Sequence, residues 1–204
     1  MKDSIHRGTA SAAAYPRRVA LPAGEIELRW LQPADEAALL AFARALPPHD
    51  LLFMRRNITE PKVVAAWLQE AEAGRLPTLL ALSGGAIAGC VAILRDELSW
   101  SPHVGELRLV VPPAMRGKGV GRALTQECFA LATSLGLDKL VAWMTVDQHA
   151  AIAVFEDLGF KAEAVLREQV KDLEGGKHDV AVLSQDVAKY LARMQTFGVV
   201  EATS

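Results

Sequence analysis

The sequence predicts an α/β fold, with a central, mixed, mostly antiparallel sheet and helices on both of its faces. Three observations predict it. Hydrophobic periodicity gives the element order β-α-α-β-β-β-α-β-α-β-β, which includes two hairpins and therefore antiparallel pairs. The helical segment Gly119–Leu135 lies between two strand segments and requires a crossover, hence one parallel pair. Apolar residues make up 51% of the 204 residues, enough for a sizeable core.

The elements follow in order. Ile26, Leu28 and Trp30 alternate, so Glu25–Trp30 reads as a first strand. Pro33-Ala34-Asp35-Glu36 opens a helix with Pro and acids in its first turn. Leu39, Leu40, Phe42, Ala43 and Leu46 keep helical spacing until Pro47-Pro48 stops it. His49–Ile58 is irregular. Thr59-Glu60-Pro61 starts a second helix that runs to about Glu72 and is ended by Gly74.

Thr78–Leu82 and Ala86–Arg95 are strands joined by the Ser83-Gly84-Gly85 turn, and Val104–Val111 is the next strand. Leu124, Cys128, Leu131 and Leu135 form the apolar face of helix Gly119–Leu135, which Gly136 caps. Lys139–Val146 is a strand, and Gln148–Leu158 is a helix ended by Gly159. Phe160–Lys171 and Lys177–Leu183 form the last hairpin around Asp172–Gly176, and Asp186–Gln195 is weakly helical.

The length fits one domain, residues 18–204, preceded by a mobile Ala/Ser/Arg-rich tail at 1–17. The formal charge of −2 supplies no basic field for nucleic acid. No apolar run reaches a membrane span or a signal-peptide core. Cys90 and Cys128 sit in apolar contexts and read as reduced core residues, so the expected location is cytoplasmic. No two histidines stand at metal-ligand spacing, and no metal is expected.

Leu107–Gly121 carries the chemistry. An apolar strand runs into a turn that opens a helix, with glycines at 117, 119 and 121. Glycines let the backbone approach a ligand closely, and the helix N-terminus adds partial positive charge. Arg116, Lys118 and Arg122 add cations, so the stretch reads as a pyrophosphate cradle. The spacing fails the dinucleotide fingerprint, which would need glycine where Arg122 stands, and no Gly-Lys-Ser/Thr of a P-loop is present.

Arg116-x-x-Gly119-x-Gly121 resembles the acetyl-CoA signature of the GNAT acetyltransferase superfamily, and the element order matches that fold. The resemblance covers about Tyr15 to Asp186. It implies that acetyl-CoA lies along Arg116, Gly117, Lys118, Gly119, Val120, Gly121 and Arg122. It also implies that backbone N–H groups of Leu109, Val110 and Val111 hold the pantetheine arm and the thioester carbonyl. Gln148-x-x-Ala151-x-x-x-Phe155-x-x-x-Gly159-Phe160 resembles the family's second signature, with Gln148, Ala151 and Phe155 against the cofactor. Two residues depart from the pattern. Gln148 replaces an asparagine. Phe155 replaces a tyrosine that often protonates the leaving thiolate, and a phenyl ring has no proton to give.

Tyr15-Pro16, Leu28-Arg29-Trp30, Pro33-Ala34-Asp35 and Gly105-Glu106-Leu107 resemble, more narrowly, the acetyltransferase domain of bacterial protein-lysine acetyltransferases. In that group the glutamate matching Glu106 is the general base. Such a base has work to do, since only roughly 0.04% of a lysine-type amine is neutral at pH 7. Strand alternation also puts Glu106 and Arg108 on one face, where they can simply form an ion pair. The expected reaction is direct transfer from acetyl-CoA to a primary amine, on a small molecule or on a protein lysine or N-terminus. The free-thiol pKa of the leaving group, ~8.5, makes a strong acid unnecessary. The alternative is a non-catalytic acyl-CoA-binding sensor. Phe53-Met54-Arg55-Arg56 lies where family members build acceptor specificity, or is a basic exposed loop; a homodimer is left open.

Overall fold

The computed structural model describes residues 15–196. Eight strands form one sheet in the order β1-β2-β3-β4-β5-β6-β8-β7. They are β1 Arg17–Leu21, β2 Gly24–Trp30, β3 Thr78–Ser83, β4 Ala86–Leu94, β5 Val104–Val110, β6 Lys139–Thr145, β7 Lys161–Lys171 and β8 Lys177–Asp186. Helices α1 Glu36–Arg44 and α2 Pro61–Glu72 connect β2 to β3, α3 Val120–Ser134 connects β5 to β6, α4 His149–Asp157 connects β6 to β7, and α5 Val187–Thr196 follows β8. The β5–β6 pair is parallel and every other pair is antiparallel. The expected fold class is therefore observed.

Helices cover both faces of the sheet. On one face, Leu39, Phe42 and Ala43 of α1 and Val64, Trp67 and Leu68 of α2 pack with Leu80, Cys90, Ala92 and Val110. On the other, Leu124, Cys128, Phe129 and Leu131 of α3 pack with Leu79, Val91, Leu107 and Leu140, joined by Phe155 of α4 and Tyr190 of α5. Burial on both sides explains why β3 and β4 read as nearly unbroken apolar runs. Phe129 is 1% exposed and stacks on Tyr190 with ring centroids 3.5 Å apart. Truncating it to alanine should cost about 3–5 kcal/mol of stability, from lost burial and the cavity left behind.

The structure corrects the N-terminal reading. Arg17–Leu21 is an edge strand paired with Leu28–Gly24, so Arg17 belongs to the fold and not to a tail. Tyr15 packs edge-on against Trp30 with centroids 5.2 Å apart, and its hydroxyl and Arg17 both bond the Glu127 carboxylate of α3. The rest of the expected tail, residues 1–14, lies outside the described residues. The predicted helices at 119–135 and 148–158 begin and end one residue inside those limits, at Val120–Ser134 and His149–Asp157.

Candidate active site

The β5–β6 ladder is short. It pairs Val104 with Lys139 through Leu107 with Ala142, and stops there, although β5 continues to Val110 and β6 to Thr145. The two strands diverge beyond Leu107. One edge of β5 thus faces a cleft with its backbone groups available to a ligand.

The cradle closes this cleft at the top of β5. Gly117 and Gly119 have φ of +70° and +89°, a left-handed backbone that favours glycine. Gly119 is the N-cap of α3, and no side chain caps that helix. The first-turn N–H groups of a 15-residue helix are left to point at a ligand. A Cβ at Gly117 would meet nothing within 4 Å, so the turn is open on the ligand side.

A cavity of about 730 Å³ runs from this turn down the cleft. Leu109, Val110, Val111, Arg116, Gly117, Gly119, Gly121, Arg122, Gln148, Ala151 and Phe155 line it, eleven of the residues assigned to the cofactor from sequence. Two of the assigned residues do not line it. The Val120 side chain is fully buried in the core, which leaves only its backbone for a ligand, and Lys118 is exposed outside the cavity. Arg116 bonds the Val111 carbonyl at 3.2 Å and the Asp50 carboxylate at 2.5 Å, and Arg122 pairs with Asp157 at 3.0 Å. A polyanion entering here has α3's N-terminus and these half-exposed guanidiniums to meet it. The residues present fit a pyrophosphate with an extended arm.

Glu106 does not line that cavity. It lines a second one of about 620 Å³ on the α1–α2 face, and Trp143 of β6 borders both. Glu106 is 9% exposed and forms ion pairs with Arg108 on its own strand and with Arg55. The expected Glu106–Arg108 pair is therefore present. The Arg108 guanidinium bonds the Phe53 carbonyl and lies 5.9 Å from the Trp143 ring centroid. Burial and then the nearby Arg55 cation push Arg108 down to about 10.

The connection between α1 and α2 touches the site at four points: His49 to Asp147, Asp50 to Arg116, Phe53 to Arg108 and Arg55 to Glu106. His49 Nε2 lies 2.9 Å from Asp147 and 3.2 Å from the Thr145 hydroxyl, at the wall of the larger cavity. Thr145 and His49 hold the Asp147 carboxyl below the usual carboxylate range. Sequence reasoning missed this pair because its members are 98 residues apart and neither belongs to a motif.

Cys90 and Cys128 are free and buried. Burial pushes the Cys90 thiol up to about 12 and raises Cys128 as well. No group of three or more potential metal ligands occurs among the described residues, and no helix there is long and apolar enough to cross a membrane.

Residues 38–160 match the acetyltransferase (GNAT) family. A mycothiol acetyltransferase of Thermobispora bispora is 32% identical over 160 residues, which cover 71% of this chain and 51% of that protein. The chain thus spans about half the length of the curated relatives it matches. Among solved structures, a GNAT-family acetyltransferase of Streptococcus pneumoniae superimposes with a TM-score of 0.67 at 25% identity, covering 79% of this chain and 99% of that one. The spermidine N-acetyltransferase of Vibrio cholerae, solved with CoA and spermine, has the same fold, with a TM-score of 0.68 at 19% identity over 81% of this chain and 98% of that one.

Proposed function

Because the chain belongs to the GNAT acetyltransferase family, we propose that it transfers an acetyl group from acetyl-CoA to a primary amine. Acetyl-CoA is the family's acetyl donor. One observation carries the reading: β5 and β6 part beside an uncapped, glycine-edged helix N-terminus, and a second cavity holding a buried carboxylate adjoins the opening. Donor and acceptor can then enter separate cavities and meet beside Trp143, which borders both. When bound, acetyl-CoA supplies an activated acyl carbon and a thiolate leaving group.

In this reading the α3 N-terminus, Arg116 and Arg122 bind the pyrophosphate, and the free β5 edge at Leu109–Val111 orients the pantetheine arm and the thioester carbonyl. Glu106 takes the proton that the amine must lose as its nitrogen bonds to the acyl carbon. The C–S bond breaks, its electron pair leaves with sulfur as the CoA thiolate, and the thiolate takes a proton from solvent. Direct transfer agrees with the cysteines, whose burial and raised thiols disfavour an acyl-enzyme.

A second reading is an acyl-CoA-binding module without turnover. It is favoured by Phe155, 4% exposed and protonless, and by the two arginines that occupy Glu106. Thermal shift with acetyl-CoA, followed by an open amine screen for thiol release, separates the readings. Stabilisation with turnover supports the enzyme. Stabilisation without turnover on any amine supports the sensor. Absence of stabilisation overturns both.

A further inference from the structure

The second cavity has a charge of its own. The chain carries 22 Lys and Arg against 24 Asp and Glu, yet five arginines and only three carboxylates line this cavity. One of those carboxylates, Glu106, is already shared by Arg55 and Arg108. Arg56, also in the wall, has no ion-pair partner among the described residues.

Two of the arginines also hold unused donors. The Nε atoms of Arg95 and Arg108 are buried and have no hydrogen-bond partner. The Arg108 side chain is only 5% exposed. These nitrogens are closed to solvent, so neither guanidinium is fully satisfied by its present partners, and an anion in the cavity meets the pair through their charge and outer nitrogens. Leu94 pairs with Glu106 across the β4–β5 ladder, so Arg95 leaves β4 next to the Glu106 position. Its terminal nitrogen pairs with Glu97, which is largely exposed, and its Nε remains free.

We propose that the acceptor is a compact amine that also bears an anionic group, a carboxylate or phosphonate, with its nitrogen at Glu106 and its anion on Arg95 and Arg108. This rests on the acetyltransferase reading above and names the substrate class of that site. Acceptor and pocket then complement each other: the carboxylate of Glu106 meets the ammonium, and the excess guanidinium charge meets the acid. The lowered Arg108 is relieved by the same anion. A polyamine would instead bring further positive charge into a wall that already has an excess of it.

The test uses the full chain saturated with CoA and a panel of α-amino acids, their carboxamides, an aminoalkylphosphonate and spermidine. Binding is read by calorimetry, and turnover with acetyl-CoA by thiol release. The expected result is that at least one acid binds about tenfold or more tighter than its own amide. Arg95→Gln should bring that acid to the level of the amide while the affinity for acetyl-CoA stays as in the wild type. Acids that bind no better than their amides, or a preference for spermidine, overturn the inference, and this comparison needs no variant. If acetyl-CoA itself fails to bind, it is the acetyltransferase reading that falls.

Discussion

Glu106 and Arg55, 51 residues apart in the chain, are joined by an ion pair that links the middle of β5 to the connection before α2. Arg55 is 64% exposed at its side chain, whereas Glu106 is 11% exposed. Arg55 is thus the partner on the solvent side, and the carboxylate stays in the wall of the cavity. An arriving ammonium can take the place of Arg55 while Arg108 keeps Glu106 oriented. Glu106→Gln should leave the thermal protection by acetyl-CoA intact and lower turnover by about 10²–10⁴-fold, with partial recovery at high pH as the amine loses its own proton. An unchanged rate with a good acceptor would remove Glu106 from the chemistry.

The cradle can be blocked without straining the apo fold. Gly119 is a poor place to try, because its φ of +89° penalises any side chain by about 1–3 kcal/mol. Gly121 is better. A Cβ there meets Val111 and Leu109 at 3.7 and 3.8 Å, ordinary contacts with side chains that line the cleft. Gly121→Glu should therefore keep the wild-type circular dichroism spectrum and lose stabilisation by acetyl-CoA, because a carboxylate fills the phosphate site. A variant that retains full acetyl-CoA protection would displace the cradle from this turn.

The buried thiols give a third prediction. With Cys90 pushed up to about 12, only about one thiol in 10⁵ is ionised at pH 7. Iodoacetamide should leave the native protein unlabelled and active, and modify Cys90 and Cys128 only after denaturation. Mass spectrometry of the quenched reaction should find no acylated cysteine. Rapid labelling of either residue in the folded protein would contradict their burial.

The strand, turn and helix start within Leu107–Gly121 were legible in the sequence because all three are local. The parallel pair was legible for the same reason, since a helical crossover between neighbouring strands has few alternatives. The connection at 48–56 was not. Phe53–Arg56 reads as an acceptor-specificity segment or a basic exposed loop, but its partners Arg108 and Glu106 lie more than 50 residues downstream. No periodicity marks such pairings. Strand β1 was missed because Arg17 falls in the Ala/Ser/Arg-rich stretch that reads as tail and Arg18 adds a second charge, whereas an edge strand needs only Val19 and Leu21 to pack inward. The surplus of guanidinium charge in the second cavity was hidden too, since its arginines are spread from residue 55 to residue 108 in a chain of net negative charge.

The junction of β2 with α1 gives a pH-dependent prediction. Arg29 bonds Asp35 through two nitrogens, at 2.6 and 2.7 Å, and Asp35 also accepts the Gln32 N–H at 2.8 Å. The Arg29 hydrogen bonds hold the Asp35 carboxyl below its usual range. An acid with a lowered value in the folded state binds fewer protons there than in the unfolded chain. Its stabilisation is therefore complete above the unfolded carboxylate value, about 3.9, and is lost as pH falls through the lower folded value. With 20% and 11% of the two side chains exposed, the pair is largely sheltered from solvent. Asp35→Asn leaves Arg29 without its counter-charge and should cost about 3 kcal/mol at neutral pH. In urea denaturation the gap between wild type and variant should persist from neutral pH down to the carboxylate range and then close. A gap that stays constant into acid would mean that the hydrogen-bonding shape of residue 35, and not its charge, secures the start of α1.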